Sequence, residues 1–290
     1  MEIAIISGKG GTGKSSISAA FATLNEKIVL ADCDVDAANL YLIFDPSHEE
    51  EVVYVAGEKA VVEYDKCRHC GLCISYCRFD ALFFNKENRV EVNETYCDGC
   101  RLCSHICPAD AIIMVKNDKS RMYSGTFRNG KMVYGRLSPG EENSGKLVNL
   151  VREKAKKIAK ENNFKTIVID GPPGIGCAVI SSITGVDHVV IVTEPSISGL
   201  HDLKRTIEIT EKFNVKTWVI VNKYDLNFNI SKEIEHYCHD KKIEVIATLA
   251  FQPEVVEAMV NRNSIVEFAP DSVISQQIRN AYEKLKKHEQ

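Results

Sequence analysis

The sequence predicts an α/β protein: a mostly parallel, doubly wound sheet with helices on both faces, interrupted by a small cysteine-rich domain. Three observations carry that expectation. Six apolar, β-branched runs (EIAIIS, KIVLAD, KTIVID, HVVIVT, KTWVIV and IEVIAT) alternate with helix-like stretches such as SGLHDLKRTIEITEKF and NISKEIEHYCHD, the pattern of strands buried on both faces. The first run passes directly into a glycine-rich turn, GKGGTGKS, at 8–15. Eight of the 11 cysteines fall between Lys66 and Ile112.

Composition bounds the rest. A chain of 290 residues with 44% apolar side chains can bury a sizeable core. The 36 basic and 40 acidic side chains leave a formal charge of -4, without the like-charge block that marks a nucleic-acid arm or a polybasic membrane anchor. No nucleic acid and no membrane are therefore expected as partners. Met1 leads straight into the first strand, leaving no room for a signal peptide, and no apolar run approaches the ~20 residues of a membrane span. The expected location is the cytoplasm, where thiols stay reduced, so clustered cysteines point to metal rather than disulfides.

Taken in chain order, the first signal is GKGGTGKS, which satisfies G-x-x-x-x-G-K-S between a strand and the helix-like SISAAFATL. Gly8, Gly10, Gly11 and Gly13 let the backbone, Thr12 included, wrap phosphates at a helix N-terminus. Lys14 reaches the terminal phosphates, the Ser15 hydroxyl takes Mg2+, and Ser16 follows in the same turn.

The cysteines come next. Cys67, Cys70, Cys73 and Cys77 recur, displaced by 30 residues, at Cys97, Cys100, Cys103 and Cys107. The tails CRFDALFF and CPADAIIM each leave the last cysteine through a turn into a short apolar strand. Both halves read C-x2-C-x2-C-x3-C and resemble bacterial ferredoxins that hold two [4Fe-4S] clusters, over about residues 60–118. The resemblance implies an inserted ferredoxin domain at 59–118, within a nucleotide-binding domain at 1–58 and 119–290. It implies the ligand sets Cys67, Cys70, Cys73 with Cys107, and Cys97, Cys100, Cys103 with Cys77. Structural zinc is the alternative that C-x2-C pairs leave open. The proline that follows the fourth cysteine is present as Pro108 but replaced by Arg78 in the first run. A guanidinium there is expected to stabilise a reduced cluster and raise its potential, unless it points into solvent. His69 and His105 are expected on the loop surface.

A second lysine, Lys9, makes KGGTGKS similar to the deviant Walker A of the MinD, ParA and nitrogenase iron protein ATPases. That resemblance implies a homodimer through the nucleotide site, with Lys9 reaching across to the other copy's phosphates. VLADCDVDAANL, at 29–40, resembles the first switch, making Asp34 the residue that positions the attacking water, with Asp32 and Asp36 beside it. TIVIDGPPGIG, at 166–176, resembles the Walker B strand and second switch, putting Asp170 near Mg2+. HVVIVTEPSISGLHDLKR resembles the strand and helix that follow. Together these matches cover about residues 1–50 and 145–290. They are similar to MinD-superfamily ATPases that carry a ferredoxin insertion after the first switch, and imply Lys9, Lys14 and Asp34 as the catalytic set.

The later segments refine this picture. Asn222, Lys223, Tyr224 and Asp225 spell N-K-x-D, with which GTPases read guanine. The deviant Walker A group also uses an asparagine there for adenine, beside a segment like FQPEV at 251–255 that contains Pro253. ATP is accordingly favoured over GTP. Residues 119–150 read as a connecting segment with hairpin character at Asn129-Gly130. VREKAKKIAKENN reads as a helix with a solvated face, and the tail from Asp271 as a helix that closes the domain. Cys177 lies seven positions after Asp170, as does a cluster ligand of the nitrogenase iron protein; the alternative is a small buried thiol. Cys33 and Cys238 read as structural. The function expected is a dimeric ATPase that couples ATP to electron transfer toward an unidentified redox partner. An ATP-dependent maturation factor for iron-sulfur or metal cofactors is the alternative.

Overall fold

The computed structural model describes residues 1–55, 57–141 and 144–288. It divides into two compact units. The first comprises Met1–Glu51, Met122–Arg136 and Gly145–Gln290, the second Val52–Arg121 and Leu137–Ser144.

The chain opens with β1 (Glu2–Ser7), α1 (Lys14–Thr23), β2 (Ile28–Asp32), α2 (Leu40–Phe44) and β3 (Glu50–Tyr54). Then come β4 (Glu58–Val62), α3 (Leu72–Tyr76), β5 (Leu82–Phe84), β6 (Val90–Val92), α4 (Leu102–Ile106) and β7 (Ile112–Lys116). The return begins with β8 (Ser120–Phe127), β9 (Gly130–Arg136), α5 (Ser144–Glu161), β10 (Thr166–Pro173) and α6 (Cys177–Ile183). It continues through β11 (His188–Thr193), α7 (Ile197–Lys212), β12 (Lys216–Asn222), α8 (Phe228–Asp240) and β13 (Glu244–Leu249). The last helices are α9 (Pro253–Val260), α10 (Ile265–Phe268) and α11 (Val273–Lys287).

All six apolar runs are strands of one sheet, ordered β13-β12-β11-β1-β10-β2-β9-β8-β3. β1 sits between β10 and β11 and pairs with both in parallel. Burial on both faces explains why these strands read as continuous apolar runs: Ile3, Ile5, Leu30, Val190 and Ile220 are wholly inaccessible. Each such side chain contributes roughly 1.5–3 kcal/mol. The carboxyl ends of β1, β10 and β2 bring the glycine-rich loop, Asp170 and Asp32 to one edge, where ligands bind in open α/β sheets.

Residues 119–150 are more than a connection. β8 and β9 extend the sheet, and β9 pairs in parallel with β2 from Ile28↔Gly130 to Asp32↔Tyr134. Gly130 admits this pairing because a Cβ there would lie 2.0 Å from the Ile28 carbonyl oxygen. Abundant Gly and Ser mask a strand whose Met132, Val133 and Tyr134 are buried. Glu142 and Asn143 of this stretch lie outside the described residues. Helix α5 also departs from a simple solvated helix: Leu147, Val148, Val151 and Arg152 are buried. Arg152 donates to the carbonyls of Ser181 (2.6 Å) and Thr184 (2.8 Å) and to Glu2 Oε2 (3.1 Å). Helix α11 closes the first core, with Tyr282 edge-on to Phe21 at 5.1 Å. Among the described residues no helix is long and apolar enough to cross a membrane.

In the second unit β4 pairs antiparallel with β7 and β5 with β6. The 30-residue repeat extends to the backbone. Positive φ angles recur at His69 (52°) and Gly99 (72°), Gly71 (72°) and Arg101 (65°), and Asp80 (51°) and Asp110 (47°). Among the described residues its core comprises nine buried side chains, three of them Cys73, Cys97 and Cys103.

Candidate functional site

The loop after β1 turns into α1 at Gly13, whose φ of 92° suits glycine. A Cβ at Gly13 would lie 2.3 Å from Asn222 Nδ2, and one at Gly8 2.5 Å from Asp202 Cβ, whereas Gly10 and Gly11 face open space. Lys14, 6% exposed, lies 2.9 Å from Asp170 Oδ1 and 3.4 Å from Asp34 Oδ2. Ser15 Oγ donates to Asp170 Oδ2 at 2.8 Å, and Ser18 Oγ to Oδ1 at 2.6 Å. The fully buried Asp170, within β10, is thus met by three donors.

Burial alone would lower the Lys14 pKa, but Asp170 and then Asp34 hold it raised. Burial pushes Asp34 upward against the pull of Lys14, and burial likewise raises Asp36. Asp32, raised first by burial and then by Asp170, accepts the N–H groups of Asp34, Asn39 and Leu40, each at 3.2 Å. It shapes the loop that carries Asp34. Thr12 Oγ1 is buried without a partner among the described residues, and a phosphate oxygen in this cradle would supply one.

Lys9 is held within its own chain. Its Nζ lies 2.7 Å from Glu194 Oε1 and donates to Ser196 Oγ (3.0 Å) and Ser198 Oγ (3.1 Å). Glu194 Oε2 also accepts from Lys223 Nζ at 3.1 Å, and Lys223 donates to the Gly11 carbonyl at 2.9 Å. Burial would raise the Glu194 carboxyl, but the two lysines hold it lowered. Sequence reasoning missed Glu194, Ser196 and Ser198, which lie in TEPSIS beyond the end of β11, and Ser18, which lies inside α1; neither stretch has a spacing that marks a site.

A cavity of about 230 Å3 adjoins the loop, lined by Gly11, Gly13, Ser16, Asn222, Phe251 and Met259. Asn222 Nδ2 donates to the Thr12 carbonyl at 2.8 Å. Asp225 Oδ1 accepts the Phe251 N–H at 2.7 Å, tying the N-K-x-D corner to FQPEV. Pro253 is the first residue of α9, and its neighbours Gln252 and Val255 line the cavity in its place.

Residues 3–265 match the CobQ/CobB/MinD/ParA nucleotide-binding domain. The chain belongs to this family. An uncharacterized protein of Methanocaldococcus jannaschii is 38% identical over 292 residues, covering 99% of this chain and 96% of its own length. The septum site-determining protein MinD of Bacillus subtilis is 23% identical, over 96% of this chain and 86% of its own. The solved MinD of Pyrococcus horikoshii, complexed with Mg-ADP, superposes with a TM-score of 0.59 at 19% identity, covering 99% of this chain and 96% of its own. The α/β fold with its mostly parallel P-loop sheet is that of MinD.

This MinD/ParA-type chain carries eight of its 11 cysteines in the second unit. One cavity there is lined by Cys67, Cys70, Cys73 and Cys107, with Val62 and Ile112. Another is lined by Cys77, Cys97, Cys100 and Cys103, with Leu82 and Met114. Each takes three cysteines from one run and the fourth from the other. Among the described residues no three His, Cys, Asp or Glu side chains close on a point as ligands of a single metal ion. Burial pushes the Cys103 thiol up to about 11 and raises Cys73, so thiolates there need positive charge beside them. The Ala81 N–H donates to Cys77 Sγ at 3.4 Å and the Ala111 N–H to Cys107 Sγ at 3.3 Å.

Three expectations change here. Arg78 is exposed and absent from both linings, to which Arg68 and Arg101 belong instead. His69 is not simply loop surface, since its Nδ1 lies 3.6 Å from Cys67 Sγ, whereas His105 is exposed. Cys177, heading α6, is exposed rather than a small buried thiol, because α6 begins outside the core, beside the Gly145 backbone. Cys33 and Cys238 are fully buried.

Proposed function

We propose that this protein is a homodimeric ATPase that couples ATP binding and hydrolysis to one-electron transfer through two [4Fe-4S] clusters in an inserted ferredoxin module. The observation that carries the reading is the crossed partition of eight cysteines into two four-sulfur cavities. Cys67, Cys70, Cys73 and Cys107 hold one cluster and Cys77, Cys97, Cys100 and Cys103 the other; bound there, the clusters supply one-electron redox chemistry. The redox client is a low-potential one-electron carrier.

At the nucleotide, the loop from Gly8 to Ser16 cradles the phosphates and Lys14 exchanges a carboxylate for a phosphate oxygen. Ser15 and Asp170 hold Mg2+, which neutralises charge on the phosphates. Asp34, paired with Lys14, orients a water whose oxygen bonds to the γ-phosphorus as the bond to the bridging oxygen breaks, releasing ADP and phosphate. Lys9 of each copy reaches the phosphates held by the other, once freed from Glu194. ATP is favoured because Asp225, which would read guanine, already holds the Phe251 backbone, and Asn222 faces the cavity.

An anaerobic redox titration of the iron-loaded protein, followed by EPR with and without MgATP, tests the coupling. The expected result is two clusters whose midpoints move with nucleotide. Two stable clusters with unmoved midpoints, passed to an apo-acceptor on ATP addition, would replace this reading with cofactor maturation.

A further inference from the structure

Lys59, the second residue of β4, is only 7% exposed. Its Nζ donates to the Cys97 carbonyl at 2.5 Å and the Gly140 carbonyl at 2.8 Å. No carboxylate among the described residues pairs with it. The adjoining Glu58 is already engaged: its Oε2 accepts from Arg101 Nε at 2.7 Å. Its carbonyl oxygen lies 2.4 Å from where a Cβ on Gly99 would stand, so only glycine fits there. The start of β4 is therefore seated on the loop that carries Cys97 and Cys100, and it delivers a buried ammonium to the backbone of a cysteine that lines the second cavity.

The internal repeat provides a control within the molecule. Thirty residues beyond Lys59 stands Arg89, which is 57% exposed and lies 3.6 Å from the Glu87 carboxylate. One cysteine set thus has a buried cation without an acidic partner against its ligand loop. The corresponding cation of the other half is solvated and paired with an acid.

We infer that Lys59 sets the potential of the cluster held by Cys77, Cys97, Cys100 and Cys103, making it the higher-potential of the two; this rests on the two-cluster reading above. Reduction adds one negative charge to a cluster. A fixed cation in a low-dielectric surround stabilises that added charge far more than a screened surface cation does. Electrons arriving from a low-potential donor therefore settle on this cluster in preference to the one held by Cys67, Cys70, Cys73 and Cys107. Lys59 is a positioning and tuning group rather than a ligand.

The test uses the full chain, loaded with iron and sulfide anaerobically, its iron content assayed before dithionite titration monitored by EPR. Lys59→Met and Lys59→Gln remove the charge, Lys59→Arg keeps it, and Arg89→Gln serves as the repeat-related control. The expected result is a tenfold or larger loss in the reduction equilibrium of one cluster, a fall of about 59 mV. The other midpoint and both Arg89→Gln midpoints should stay in place, with Lys59→Arg close to the parent. Full iron content with unmoved midpoints in both neutral variants overturns the inference, and so does an equal shift of both clusters. If the neutral variants lose half of the iron while Lys59→Arg retains it, Lys59 is a structural strut and the inference fails. A parent protein that takes up no iron instead removes the two-cluster reading itself.

Discussion

Glu194 holds two lysines at once, Lys9 at 2.7 Å and Lys223 at 3.1 Å. Each pair is partly exposed and worth at most about 1 kcal/mol, a hold weak enough for phosphate to break. Glu194→Gln should therefore release Lys9 and let ATP turnover begin several-fold lower in protein concentration, measured by phosphate release across a dilution series. An unchanged concentration dependence would remove Glu194 from the control of Lys9. At this scale the motif residues were legible because each belongs to a spacing with a mechanism, and Lys14 and Ser15 both donate to Asp170, at 2.9 and 2.8 Å. Glu194 was not, because one acid beyond a strand is no pattern. Lys59 was hidden more deeply, since EKAVV reads as a strand with a solvent-facing lysine. Its burial depends on Gly140, 81 residues away. Arg78 drew attention by departing from a pattern, yet it is exposed.

At the scale of elements, the turn from β1 into α1 depends on Gly13 far more than on Gly10. Gly13→Ala combines a left-handed backbone, costing roughly 1–2 kcal/mol, with a Cβ only 2.3 Å from Asn222 Nδ2. The expected outcome is a lower thermal midpoint and loss of nucleotide binding, since Asn222 lines the cavity and must give way. Gly10→Ala, with nothing within 4 Å of its Cβ, should leave the thermal midpoint within experimental scatter. The two measurements together separate backbone strain from a general intolerance of the loop. Most strands were readable here because burial on both faces leaves an uninterrupted apolar run. The β8–β9 hairpin was readable as a hairpin from Asn129-Gly130. Its parallel pairing with β2 was not, because that contact spans about a hundred residues and no local pattern encodes it.

For the whole molecule, the proposed two-cluster reading and the division into two units together predict unequal dependence on iron. The first unit has a large apolar core between sheet and helices, whereas among the described residues the second has an apolar cluster of nine buried side chains, three of them cysteines. Cores that small are marginal without a staple, and metal binding then becomes folding free energy. Stripping iron with a chelator should expose the second unit to limited proteolysis while the first retains its protease resistance and its nucleotide binding. Equal protection of both units with and without iron would contradict this. Neither 30-residue half can surround a cavity alone, because each sends its fourth cysteine to the other's set. Two identical halves could do so by exchanging that cysteine. The second unit is therefore closed by reciprocity: loss of Cys77 or Cys107 from one half opens the cavity that the opposite half lines.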